Sequence, residues 1–114
     1  MSGLEDFNGF ALPEKYRKFL KSIGTDCYYI EDTGITLYPY EEIIERNITY
    51  EVKVFSFSSL MIGQDGDMGF FIKKNTGDTV YSLDLGALGS LGMEEEASNI
   101  YDFIKLMEKN YKFR

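Results

Sequence analysis

The spacing of apolar residues along this chain switches between the period of a helix and the period of a strand. In "LPEKYRKFLKSIG", Tyr16, Phe19, Leu20 and Ile23 fall at i, i+3, i+4 and i+7, one stripe of an amphipathic helix. Lys15, Arg17, Lys18 and Lys21 occupy its other faces. Pro13 suits the first turn, and Gly24 suits the left-handed position after the last. Near the C-terminus Ile100, Phe103, Ile104, Met107 and Tyr111 repeat the stripe, with Ser98 placed to cap the helix. Glu94, Glu95 and Glu96 precede its positive end, and Lys105, Lys109 and Lys112 lie near its negative end, as the helix dipole favours.

Between these helices the pattern is that of strands. "YYIEDTGITLYP" predicts one or two short strands interrupted by an Asp-Thr-Gly turn at 32–34. After Pro39, "YEEIIERN" predicts a short helical turn with Ile43 and Ile44 inward and Asn47 as its stop. From residue 48 the period is two. "VKVFSF", "SLMIGQ", "MGFFIKK" and "TVYSLDL" predict an antiparallel meander, with Asn75-Thr76-Gly77-Asp78 as a turn. "GALGSLGMEEEAS" matches neither a dinucleotide fingerprint nor a phosphate loop and is expected to be a mobile loop. Strands grouped in the middle with helices at the ends give an α+β fold. The expected arrangement is a central antiparallel sheet, N- and C-terminal helices packed on it, and a short middle helix, in one domain over 1–114.

"IGQDGDMGFFI" at 62–72 raises the question of a metal loop. With Asp65 first and Asp67 third in a calcium loop, the fifth position would be Gly69 and the twelfth Thr76. Neither can supply the required carboxylate, and strand-like residues follow where a helix is needed. The stretch is therefore expected to be a hairpin, and no metal or cofactor is assigned.

Composition narrows the chemistry. The chain has 114 residues, 44 % of them apolar, with nine Phe, nine Tyr and no Trp, so an aromatic-rich core is expected. It has no His, which removes the usual general base, the His-activated nucleophiles and the commonest zinc ligand. Cys27, the only cysteine, excludes an internal disulfide and is expected as a small buried apolar residue. Carboxylate or metal-carboxylate chemistry is what remains, and the expectation is a protein that is not an enzyme. "MSGLEDFNGF" has neither the basic nor the apolar region of a signal peptide, and no apolar run is long enough to span a membrane. A cytosolic location is expected.

Net charge is −7, which disfavours direct contact with nucleic acid. The charge is unevenly spread. Lys15, Arg17, Lys18 and Lys21 outnumber Glu14, whereas Asp26, Glu31, Asp32, Glu41, Glu42, Glu45 and Glu51 face only Arg46. Such a run can simply solvate one face, or it can dock a basic protein. On the docking reading the contact residues are those acids up to Glu45, joined by Asp65, Asp67, Glu94, Glu95 and Glu96. Tyr28, Tyr29, Tyr38 and Tyr40 would be the apolar anchors.

The succession "LPEKYRKFL", "LYPYEEIIERN", "GQDGDMGFFIKKNTGDTVYSLDL" and "SNIYDFIKLM" resembles the SUKH superfamily through nearly the whole chain. That superfamily includes the yeast Smi/Knr-type cell-wall regulators and many small bacterial proteins. Leu12-Pro13 with Tyr16, Phe19 and Leu20 matches its opening helix, and 65–69 its acidic-glycine turn. Val80-Tyr81 with Asp84 fits the strand after the hairpin, and Phe103 the aromatic of its closing helix. The resemblance implies an immunity protein that binds and neutralises a secreted toxin domain, often a nuclease, without catalysis. The eukaryotic relatives imply the alternative, a regulatory or scaffolding interaction module. Either reading implies a protein partner, with the chain itself a monomer or a weak homodimer.

Overall fold

The computed structural model describes residues 2–56 and 58–112. Among them the elements run α1 (Ser2–Asn8), α2 (Glu14–Ile23), β1 (Tyr28–Tyr29), β2 (Thr36–Leu37), α3 (Tyr40–Thr49) and α4 (Val52–Phe55). Then follow β3 (Ser59–Asp65), β4 (Met68–Lys73), β5 (Val80–Asp84), a 3₁₀ turn (Leu85–Ala87), β6 (Glu94–Ala97) and α5 (Ile100–Lys112). The six strands form one antiparallel sheet in sequence order, so the expected α+β meander is the architecture found.

The helix stripes hold. Tyr16, Phe19 and Leu20 of α2 and Phe103, Ile104 and Met107 of α5 are buried. Phe103 packs on Phe70 of β4 with ring centroids 4.9 Å apart. Leu60, Met61 and Ile62 of β3 and Phe70, Phe71 and Ile72 of β4 are also all buried. Neighbouring strand residues point to opposite faces, so both faces of the sheet's centre are covered. The α2 and α5 helices pack against each other, while α3 and α4 pack against β3. Tyr111 and Lys112 fall where side chains lie outside the described residues, as does Phe57 entirely.

Turn chemistry sets the register. Asp65 pairs with Met68 across a two-residue loop whose first member, Gly66, has φ +57°. That is the positive φ a tight hairpin demands. Gly63 is needed for a different reason. A Cβ there would lie 2.5 Å from the Thr36 carbonyl oxygen, so the β2 backbone could not approach.

Four local expectations are corrected. "VKVFSF" alternates, yet Val52–Phe55 is a turn of helix, entered through Glu51 at φ +54°. The segment leaves Val54 and Phe55 exposed, so its alternation is not a sheet pattern. The 86–98 stretch is not simply a loop, because Glu94–Ala97 pairs with β5 as an edge strand. The cap of α5 is Asn99, whose Oδ1 accepts the Asp102 N–H at 3.0 Å, while Ser98 donates to the Asp102 carboxylate. Asn47 does not stop a helix either. It is buried inside α3, which continues to Thr49.

The reason is visible in its bonds. The Asn47 Nδ2 donates to the carbonyls of Ile43 (2.8 Å) and Met61 (2.9 Å), and its Oδ1 accepts the Met61 N–H at 2.9 Å. Past Leu37 the β2 strand ends, and Pro39 carries no N–H to continue the ladder. The Asn47 amide thus does for Met61 what a backbone peptide of a neighbouring strand would do.

A further helix, α1, was not expected from the pattern. It buries Leu4, and its Glu5 carboxylate accepts the Leu12 N–H at 2.7 Å and pairs with Arg17. The Leu12 N–H, with Arg17 adding to it, holds the Glu5 carboxyl below the usual carboxylate range.

Candidate functional site

The edge strand β1, the 30–35 turn, β2 and the first turns of α3 follow one another along the chain. Asp26, Glu31, Asp32, Glu41 and Glu45 are exposed. Tyr29 is 71 % exposed, with Asp26 and Glu42 near its phenol. Asp32 holds φ +62°, and the Thr33 hydroxyl both donates to the Ile30 carbonyl and accepts the Ile35 N–H. These bonds fix the turn that carries the acids outward.

Glu42 faces the other way. It accepts the Cys27 thiol at 3.1 Å and approaches Arg46 at 3.9 Å. The Arg46 guanidinium lies over the Tyr38 ring, 5.7 Å from its centroid. Tyr38 is buried and its hydroxyl donates to Gln64, whose amide donates to the Tyr50 hydroxyl (3.2 Å) and the Gly66 carbonyl (3.0 Å). Tyr38 is therefore a bonded wall, not a free anchor. Tyr29, Tyr38, Glu42, Arg46 and Gln64 line a polar cavity of about 470 Å³.

Cys27 is half-buried and hydrogen-bonded, not the fully buried apolar residue expected. Burial, reinforced by Glu42, pushes its thiol above the ordinary value. A thiol held neutral is a poor nucleophile. The phenols follow the same direction, Tyr38 through burial and Tyr29 chiefly through its neighbour Cys27.

The remaining candidates divide. Asp65 lies against the 30–35 turn, since a Cβ on Gly34 would fall 2.4 Å from its Oδ1. Asp67 is exposed at the tip of the β3–β4 hairpin. Tyr40 is half-buried at the start of α3. Glu94, Glu95 and Glu96 are not part of this region. They sit on β6, the opposite edge of the sheet, about 24 Å away at five strand spacings of about 4.8 Å. Glu96 there accepts the Ser82 hydroxyl at 2.6 Å.

Tyr28 turns to the face opposite Tyr29 and meets Phe19 edge-on, with ring centroids 5.5 Å apart. It lines a second cavity, of about 610 Å³, between α2, β1 and α5. Phe19 and Ile104 lie at its buried base, with Tyr101, Lys105 and Glu108 from α5 and Asp26 around them. Sequence reasoning missed the α5 contribution, as it missed Arg46 and Gln64 in the first cavity. Tyr101, Ile104, Lys105 and Glu108 fall at i, i+3, i+4 and i+7, a second face of α5 beside the core stripe. An aromatic on that face was the available signal.

Among the described residues, no helix is long and apolar enough to cross a membrane. The profile described as the SMI1 / KNR4 family (SUKH-1) matches residues 2–106 of the chain. No curated protein matches it.

Proposed function

The chain belongs to the SMI1/KNR4 (SUKH-1) family, and from that premise we propose that it is a cytosolic immunity protein. It binds a secreted toxin domain, a basic nuclease, and blocks it by covering its working surface. A domain of this family acts through a protein partner, and such inhibition needs a complementary surface and no catalytic group. The observation that carries the reading is the exposure of five acids between residues 26 and 45, together with the exposed Tyr29. Asp26, Glu31, Asp32, Glu41 and Glu45 all reach solvent in a chain of net charge −7. A nuclease must present a basic surface to hold phosphates. An acidic surface accelerates encounter with such a partner, and an exposed aromatic within it can hold the complex.

Capture of the partner from the native host, with mass spectrometry of what remains bound, identifies the toxin. Charge reversal then tests the surface. Glu41→Lys with Glu45→Lys is the suitable pair, because Glu42 is committed to Cys27 and Arg46. The double variant should melt like the parent, associate more slowly with the captured partner, and show a flatter salt dependence of association. Surface plasmon resonance at two salt concentrations reads both. An unchanged association rate removes these acids from the interface.

A further inference from the structure

We propose that the cavity between α2, β1 and α5 receives an arginine side chain of the protein partner. This deepens the reading above and rests on it for the identity of the partner. Asp26 lines this cavity, and Cys27 lines both it and the polar cavity beside α3.

The walls suit a planar cation on a long apolar stem. Phe19 contacts Tyr28 at 75° and Tyr101 at 80° between ring planes, with centroids 5.5 and 6.2 Å apart. The two tyrosines thus stand nearly perpendicular to the buried Phe19 ring, and Ile104 adds to the apolar base. Methylenes pack against such a base, and a guanidinium stacks against tyrosine rings.

The charged lining sets the sign. Asp26 and Glu108 supply two carboxylates against the single ammonium of Lys105. A guanidinium satisfies carboxylates with paired N–H donors while its plane rests on the aromatics. An aliphatic side chain would fill the base but strip water from both carboxylates without replacing it. An acidic side chain would meet like charge. Lysine would meet the charge but offers no plane to stack. The cavity exceeds one side chain in volume and lies within the usual range for ligand sites, roughly 300–1,000 Å³. The arginine therefore enters with part of the segment that bears it.

The test does not require the toxin. Uniformly ¹⁵N-labelled full-length chain is titrated with the blocked tripeptide acetyl-Gly-Arg-Gly-amide. Peptides carrying citrulline, lysine or norleucine at the centre are titrated in parallel. Citrulline keeps the shape and loses the charge; norleucine keeps only the stem. The arginine peptide should shift the amides of Tyr28, Tyr101, Lys105 and Glu108, and bind about fivefold or more tightly than the citrulline peptide. Asp26→Asn with Glu108→Gln should abolish that preference while leaving norleucine binding unchanged, and Tyr101→Ala should weaken the arginine peptide. Equal or tighter binding of norleucine, citrulline or lysine overturns the proposal, as does the lack of localised shifts with the arginine peptide. With a captured partner the two readings separate. If Glu41→Lys/Glu45→Lys slows association while Tyr101→Ala and Glu108→Gln leave affinity unchanged, the acidic surface stands and the arginine cavity falls.

Discussion

Replacing Asn47 should damage the fold more than replacing any surface acid, and the reason can be worked through bond by bond. In Asn47→Ala the N–H and the C=O of Met61 both lose their side-chain partner, in a strand position that is fully buried. Each buried backbone group left unsatisfied costs about 1–3 kcal/mol, so the pair amounts to about 2–6 kcal/mol. That is a large part of the 5–15 kcal/mol typical of a domain (both figures approximate). A loss of about 3 kcal/mol, with an m-value of about 1.5 kcal/mol/M, lowers the urea midpoint by about 2 M. Two companion variants separate causes. Asn47→Leu fills the volume without the bonds, so a similar loss assigns the effect to hydrogen bonding and not to a cavity. Asn47→Asp keeps an acceptor for the Met61 N–H but turns oxygen toward the Ile43 and Met61 carbonyls, and should be at least as harmful. Amide exchange at Met61 should accelerate in all three. If Ala and Leu both unfold within about 0.5 kcal/mol of the parent, the amide is not replacing a strand and the reasoning fails.

Other outcomes follow from the same packing. Phe103→Ala and Phe19→Ala should each lose about 3–5 kcal/mol, and parental denaturation midpoints for both would mean that neither ring is seated against the core. Tyr16→Phe should be neutral or stabilising by about 1 kcal/mol, because among the described residues the buried hydroxyl has no partner; a clear loss in thermal melts would reveal one. Glu5, with its pKa lowered in the fold, contributes stability that is complete above the ordinary glutamate value of about 4.3 and is lost as pH falls through its lower folded value. Glu5→Gln should therefore lower stability at neutral pH and flatten the acid limb of a melting-temperature profile; parallel profiles for parent and variant would refute the link.

What could be read in the sequence was whatever neighbouring residues decide among themselves. The α2 and α5 stripes, the hairpin at Gly66 and the turn at 75–78 were legible because each rests on spacing or on a local φ. The failures occurred where a distant partner decides. "VKVFSF" has the period of a strand but lies beyond Glu51 in the left-handed region, and only Val52 is needed by the core. "EEEA" has no apolar period at all, and becomes a strand because β5 offers a free edge. Asn47 looked like punctuation because the strand it completes is absent from its own neighbourhood.

The candidate site divides along the same line. Asp26 and Glu42 both came to Tyr29 because β1 pairs with β2 and returns Cys27 to the start of α3. Glu94–Glu96, grouped with them only by charge, went to the far edge, since a meander in sequence order must place its first and last strands apart. The residues that give the region shape came from elsewhere: Gln64 from β3, and Tyr101 and Glu108 from α5. Charge along the chain thus bears on what kind of partner the proposed interface would take. The cavities, which would decide how tightly that partner is held, depend on helix–helix and helix–strand packing that no single segment encodes. An interface of this kind should tolerate exchange of one exposed acid for another. It should respond sharply to changes at Tyr101 or Tyr29, where shape and not charge is at stake.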